Sequence, residues 1–234
     1  MPASITEFAT ATSTAETITV PAAIEAGDII VLLDRAHNLA AGGNPTAVVP
    51  TGFVSINDQA AVRIRQILSY KPADGTEDSS TLTGMTGTAN VMKQLIVFRP
   101  NVPPVSLSIG SVVANLQSTD PAGVVTLAGA GSTPMIVLGA YGVEGAGFLI
   151  DPRTFSTTKD AEYNTTSANG DLWLAYKIYD NGETPADTTI DMDDEGNLNT
   201  IQGCFISAKP WCQMDEFSAA SARIIRPPVE IIGY

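Results

Sequence analysis

The run DMDDEGN at residues 191–197 sets Asp191, Asp193 and Glu195 at alternate positions, followed by Gly196 and Asn197. Oxygen ligands at the first, third and fifth positions, then a glycine that permits a sharp turn, are how a calcium loop begins. At the twelfth position, where such a loop needs a bidentate glutamate, stands Gln202, and the flanking sequence is strand-like rather than helical. Two readings are open: a calcium site on Asp191, Asp193 and Glu195, or a solvent-exposed hairpin turn that uses Asp, Gly and Asn for their geometry. The answering stretch of the first half, LTGMTGTAN, carries no acid, so the turn itself does not require them.

Other chemistry is thin. His37 is the single histidine, in the loop-like run DRAHNLAAGGN, and any Ser–His–Asp or Cys–His arrangement would have to use it. Cys204 sits in the apolar run GCFIS and reads as a buried, inert thiol. With Cys212 it allows one disulfide at most, and one histidine plus two cysteines eight apart do not make a zinc set. The opening MPASITEFATATS has neither the basic start nor the apolar run of an export signal, so reduced thiols are expected. GAYGVEGAG (139–147) lacks the Lys-Ser/Thr of a phosphate loop and reads as a strand entering a turn. Asp74, Glu77, Asp78, Asp180, Glu183 and Asp187 fall in turn-like sequence. They read as solvated charges rather than as the facing pair that cleaves glycans. The expectation is a protein that is not an enzyme and holds no cofactor, calcium aside.

These residues need a scaffold, and composition predicts its class. The chain has 234 residues, 44% of them hydrophobic, enough to bury a substantial core. Charged residues are only 16%, while Thr, Val, Ile, Gly and Pro abound, which favours strands and turns. Net charge is 12 − 25 = −13 with no Lys/Arg cluster, which argues against a nucleic-acid partner. No run approaches the ~20 apolar residues of a membrane helix.

Short apolar runs predict strands at 18–20, 28–35, 52–56, 62–71, 91–98, 124–127, 135–141, 171–179, 188–192 and 201–208. In AVRIRQILSYK, Ile64, Gln66, Leu68 and Tyr70 share one face. In DLWLAYKIYD, Leu172, Leu174, Tyr176 and Ile178 oppose Trp173, Ala175 and Tyr179. Two short runs, 108–117 and 214–224, are helix candidates.

Four segments recur in order. ITVPAAIEAGDIIVLLDR is answered by VTLAGAGSTPMIVLGAY, PTGFVS by PRTFST, ILSYKPADGTEDSSTLTG by WLAYKIYDNGETPADTTIDM, and KQLIVF by IQGCFI. The predicted fold is therefore all-β, a jelly-roll-like antiparallel β-sandwich built from two similar halves with pseudo-twofold symmetry. The sandwich spans 1–210, as repeats of about 1–104 and 105–210, and 211–234 form an extended C-terminal arm.

The first half resembles a pattern recurring in tailed-bacteriophage virion proteins: a Thr/Val strand, Pro, Ala-Gly-Asp with an apolar strand, then Pro-x-Gly-Trp. Here Ala26, Gly27 and Asp28 match, as do Pro50 and Gly52, with Phe53 in place of the tryptophan. The match covers residues 17–99, and 123–208 only through the repeat. The resemblance implies a structural virion component, a head-decoration or tail-accessory subunit. Such a protein would be made in the host cytoplasm, bind other virion proteins and form homo-oligomers, and the resemblance names no catalytic residue. The alternative is a glycan- or receptor-binding module on the virion surface, with Trp173, Trp211, Tyr163 and Tyr179 as stacking faces.

The arm ends IIRPPVEIIGY. Pro227 and Pro228 fix φ and remove two backbone donors, so the segment cannot be helical. Ile224, Ile225, Val229, Ile231, Ile232 and Tyr234 leave an apolar strip. It either folds back as an edge strand or pairs with a neighbour's sheet edge, and the arm reading is preferred.

Overall fold

The computed structural model describes residues 3–39, 42–61, 63–117, 125–129, 134–144, 153–167, 170–192 and 199–210. Among them there is no helix, and every paired strand is antiparallel. Strands β1 (Ile5–Ser13), β3 (Ile29–His37), β4 (Val54–Ala61), β5 (Ile64–Pro72) and β7 (Asn90–Pro100) form one sheet in the order β1-β7-β3-β5-β4. A second sheet has β8 (Pro104–Gln117), β10 (Met135–Glu144), β12 (Ala161–Ser167), β13 (Gly170–Tyr179) and β15 (Asn199–Pro210), in the order β12-β13-β10-β15-β8.

Read from β8, the second order repeats the first. β5 with Tyr70 and β13 with Tyr176 occupy the same place, between the central strand and an edge strand. The chain fills one large sheet before it begins the other, crossing between them through residues 101–103.

Packing explains why the central strands are apolar throughout. Ile29, Val31, Leu33, Leu68, Ile96 and Phe98 meet Ile136, Leu138, Leu174, Tyr176, Cys204 and Ile206 in one core between the sheets. Both outer faces are covered too. The ribbon β2 (Thr17–Thr19) with β6 (Thr81–Thr83) brings Ile18 and Leu82 against Ile30, Leu32, Leu95 and Val97. The small sheet of β9 (Val125–Leu127), β14 (Thr188–Met192) and β11 (Arg153–Phe155) brings Leu127, Ile190 and Phe155 against Val137, Trp173 and Phe205. All nine residues of β3 are buried as a result. A strand covered on both faces reads as a continuous hydrophobic run instead of an alternating one.

Three expectations are corrected. Residues 108–117 form most of β8 rather than a helix, because Ser207 to Asn199 of β15 supply their backbone partners. His37 is the last residue of β3 and is buried, not a loop residue. β1 and β12 join the predicted strands at the sheet edges, where one solvated side leaves only a weak apolar signal.

Candidate functional site

Of the acidic run, only Asp191 falls within a described strand, its backbone opposite Thr154. Its side chain, and Asp193 and Glu195, lie outside the described residues, as do Trp211, Cys212 and the arm with Ile224, Ile225, Val229, Ile231, Ile232 and Tyr234. Among the described residues no three His, Cys, Asp or Glu side chains come together as metal ligands.

The Ala26-Gly27-Asp28 turn is a joint. Gly27 has φ +97°, and its missing side chain lets Pro103 pack against it. Asp28, buried, accepts both Nε (2.9 Å) and Nη2 (2.7 Å) of Arg99 and caps the Glu25 N–H. The Arg99 guanidinium lies 3.7 Å from the centre of the Phe8 ring. Gly52, at φ +82°, turns the chain so that Phe53 drops into the outer core beneath the β2–β6 ribbon.

Glu77 corrects the expectation of a solvated turn charge. It is buried, 2.6 Å from Lys71 Nζ, and accepts the backbone N–H groups of Asp74 and Gly75. Burial alone would raise its pKa, but Lys71 and the amides hold it below its ordinary 4.5. A depressed carboxylate contributes stability above the unfolded value that is lost as pH falls through the folded one. Lys71→Met is expected to lower Tm at pH 7 by about 2–4 °C, the shift that 1 kcal/mol produces in a chain this size. The two melting curves should converge below pH 4.5; a gap that stays constant into acid would rule out Glu77 as the titrating group.

Between the large sheets, two glutamines play matching parts. Gln94 on β7 reaches across to donate to the carbonyls of Leu172 (2.8 Å) and Tyr163 (3.2 Å). Gln202 on β15 reaches the other way, to the carbonyl of Gln66 (3.2 Å) and to Asn57 Oδ1 (2.8 Å). Arg35, fully buried, donates to Thr200 Oγ1 at 2.6 Å and Gln66 Oε1 at 3.3 Å. These groups sit over Gly142, where a Cβ would collide with Gln66 and Arg35. Glu7 on β1 accepts the hydroxyls of Tyr163 on β12 (2.5 Å) and Tyr176 on β13. Burial and the Glu7 carboxylate push both phenols far above their ordinary pKa of 10.0. Apart from the Arg35–Gln66 bond, which lies within the first sheet, each of these bonds ties one sheet to the other, so these polar groups fix how the sheets are superimposed.

On the outer face of the first sheet, Asp34 and Lys93 are register partners on β3 and β7. Lys93 Nζ lies 2.6 Å from Asp34 Oδ1 and donates to the Met85 carbonyl, while the Met85 N–H donates to Asp34 Oδ2. Both side chains are almost wholly buried, and burial pushes the Asp34 carboxyl above its ordinary value despite Lys93. The Cys204 thiol is fully buried, its pKa pushed up to about 12, which suppresses the reactive thiolate.

The surface offers clefts and edges. Trp173 and Tyr179 are packed in the outer core of the second sheet and cannot stack on a sugar, and Tyr163 is held by Glu7. A polar cleft of about 320 Å³ is lined by Asn38, Asn44, Thr86 and Thr88. A more apolar one of about 420 Å³ lies beside Gly27, Ala73, Pro103, Pro104 and Leu107. Among the described residues, the free edges of the two large sheets are β1, β4, β8 and β12. Compared with known proteins, the chain matches no family model, no curated protein and no solved structure.

Proposed function

We propose that the chain is a non-enzymatic structural subunit of a bacteriophage virion, a head-decoration or tail-accessory protein that binds copies of itself and other virion proteins. One observation carries this reading: among the described residues, the buried Asp28, Asp34, Arg35, Glu77 and Lys93 are engaged by neighbouring groups within and between layers, while the large sheets present long strand edges. The pattern of Ala26-Gly27-Asp28, Pro50 and Gly52 supports the virion assignment by resemblance. Its residues act as turns and packing joints, as an architectural motif requires. The equal strand order of the sheets and the reciprocal Gln94 and Gln202 bonds support descent of the halves from one duplicated unit.

In this reading the arm, through Ile224, Ile225, Val229, Ile231, Ile232 and Tyr234, makes the contact between subunits. Cryo-microscopy of purified virions tests the assignment directly. Density for this fold at the head surface or on the tail supports it, and absence of the protein from complete virions overturns it. Deleting residues 225–234 is expected to leave Tm unchanged within about 2–4 °C, less than 1 kcal/mol in a chain this size, while abolishing incorporation.

A further inference from the structure

The four free edges are not alike. β8 runs for 14 residues, against 9 for β1, 8 for β4 and 7 for β12. Glu7, Asp58 and Glu162 interrupt the other three, whereas PVSLSIGSVVANLQ carries no charge. Charged side chains on an edge strand are a common guard against unwanted pairing, and β8 has none. Among the described residues it pairs with β15 alone, and Ser106, Ser108, Gly110 and Val112 along it are exposed, Val112 by 41%. Such an edge is a template for an added strand.

The sequence holds a strand of the matching kind. Pro227-Pro228-Val229-Glu230-Ile231 repeats the entry into β8, Pro103-Pro104-Val105-Ser106-Leu107, and the entry into β1 reads Pro2-Ala3-Ser4-Ile5. The entries into β1 and β8 begin strands that pair with the ends of the two long strands: Ile5 opposite Pro100 of β7, and Pro104 opposite Pro210 of β15. Both of those places are filled within the chain, so the third entry has no equivalent place left.

Spacing differs as well. Four positions separate Pro100 from Pro104 (104 − 100), but eighteen separate Pro210 from Pro228 (228 − 210). Eighteen extended residues span up to roughly 60 Å, whereas five strands side by side are only about 24 Å wide. The spacer is long enough to carry the strand past its own sandwich.

We infer that Val229–Tyr234 of one copy adds as an outer strand to the free edge of β8 in a second copy. This rests on the assembly reading above and supplies the surface that receives the arm. Backbone hydrogen bonds along β8 give the affinity, and the side chains of Val229 and Ile231, two positions apart on one face of the added strand, cover the exposed side of the edge. The contact joins two different surfaces, so it propagates from copy to copy until a ring closes or a filament forms.

Sedimentation velocity on the full chain tests it. Wild type is expected to associate beyond a dimer as concentration rises. An edge variant, Ser108→Lys with Val112→Lys, and an arm variant, Val229→Asp with Ile231→Asp, are each expected to stay monomeric. Their equimolar mixture is expected to stop at a dimer, because the first retains the arm and the second retains the edge. Circular dichroism and melting verify that both variants fold, and Ser108→Lys alone replaces the edge variant if the pair does not. A monomeric wild type, a variant that associates like wild type, or a mixture that stays monomeric overturns the inference, the last by showing that the arm does not reach a second copy. Association that survives both variants removes this contact and leaves the assembly reading standing. Absence from virions removes the assembly reading and leaves the measured pairing intact.

Discussion

Replacing Lys93 with methionine is expected to lower the free energy of unfolding by about 3–5 kcal/mol. The Asp34 carboxylate would stay almost wholly buried with only the Met85 N–H as donor, because β3 and β7 hold it opposite position 93. Domains of ordinary stability have about 5–15 kcal/mol in all, so a loss of this size leaves the protein close to its threshold. Urea titration measures it as a lower midpoint at an unchanged slope.

Removing both charges, Asp34→Leu with Lys93→Met, is expected to recover most of the loss, since apolar replacements of buried pairs are often neutral or stabilising by about 1–4 kcal/mol. The sign of the pH effect follows from the raised Asp34 pKa. A carboxyl that holds its proton more tightly when folded destabilises the fold as pH rises from the unfolded value of 3.8 through the folded one. The defect of Lys93→Met should therefore shrink toward acid. A double variant no better than the single one would show that the pair is not the source of the loss.

Phe98→Ala is the second large effect expected, a loss of about 3–5 kcal/mol. Phe98 is fully buried between the large sheets, and its ring stands edge-on to Tyr176 with centroids 5.0 Å apart. Alanine leaves a cavity and removes the surface on which the Tyr176 ring rests, while the Tyr176 hydroxyl is held by Glu7 on another strand. Phe98→Leu should cost less than half as much, because most of the volume is kept. Calorimetric Tm for the two variants measures the difference. A loss under about 1 kcal/mol for the alanine variant, the size of an ordinary surface change, would mean that the sheets do not share this core.

The strands that matter most for the fold were legible because burial on both faces writes a continuous apolar run, as in DIIVLL and TPMIVLG. β8 was not, and its bulge explains why. Ile109, Val112, Val113 and Leu116 follow the spacing of a helix face. In the sheet, the register shift opposite Gly203 and Phe205 inserts an extra residue, and the pattern of faces is reset. Leu107 and Ile109 then pack on the core between the sheets, while Val113 turns to the outer core. A bulged strand thus imitates a helix in its one-dimensional pattern.

Polar sites were hidden for another reason. Asp34 and Lys93 are 59 positions apart, and Gln94 and Leu172 are 78. Only the strand register brings them together, and no local spacing announces it. The turn residues Gly27, Asp28 and Gly52 were visible as a motif, but their use in a bidentate Arg99 clamp and a packed joint was not. Glu77 reads as a solvated charge in sequence because its partner, Lys71, lies across a turn that buries the carboxylate and leaves the lysine half-buried.

The division of the chain into one large sheet per half sets a timetable for its synthesis. Every strand of the first sheet lies within residues 5–100, so that sheet is complete on the ribosome before any strand of its partner has emerged. At about 5–20 residues per second, the remaining stretch to Pro210 takes roughly 5–20 seconds to translate. When that interval begins, Ile29, Val31, Leu33, Leu68, Ile96 and Phe98 have nothing from the second sheet to cover them, and their cover is complete only once β15 is made. Nascent chains on neighbouring ribosomes present the same bare face at the same moment. Crowded polysomes are thus the place where this protein is most exposed to aggregation, and slower elongation through residues 105–210 lengthens the risk.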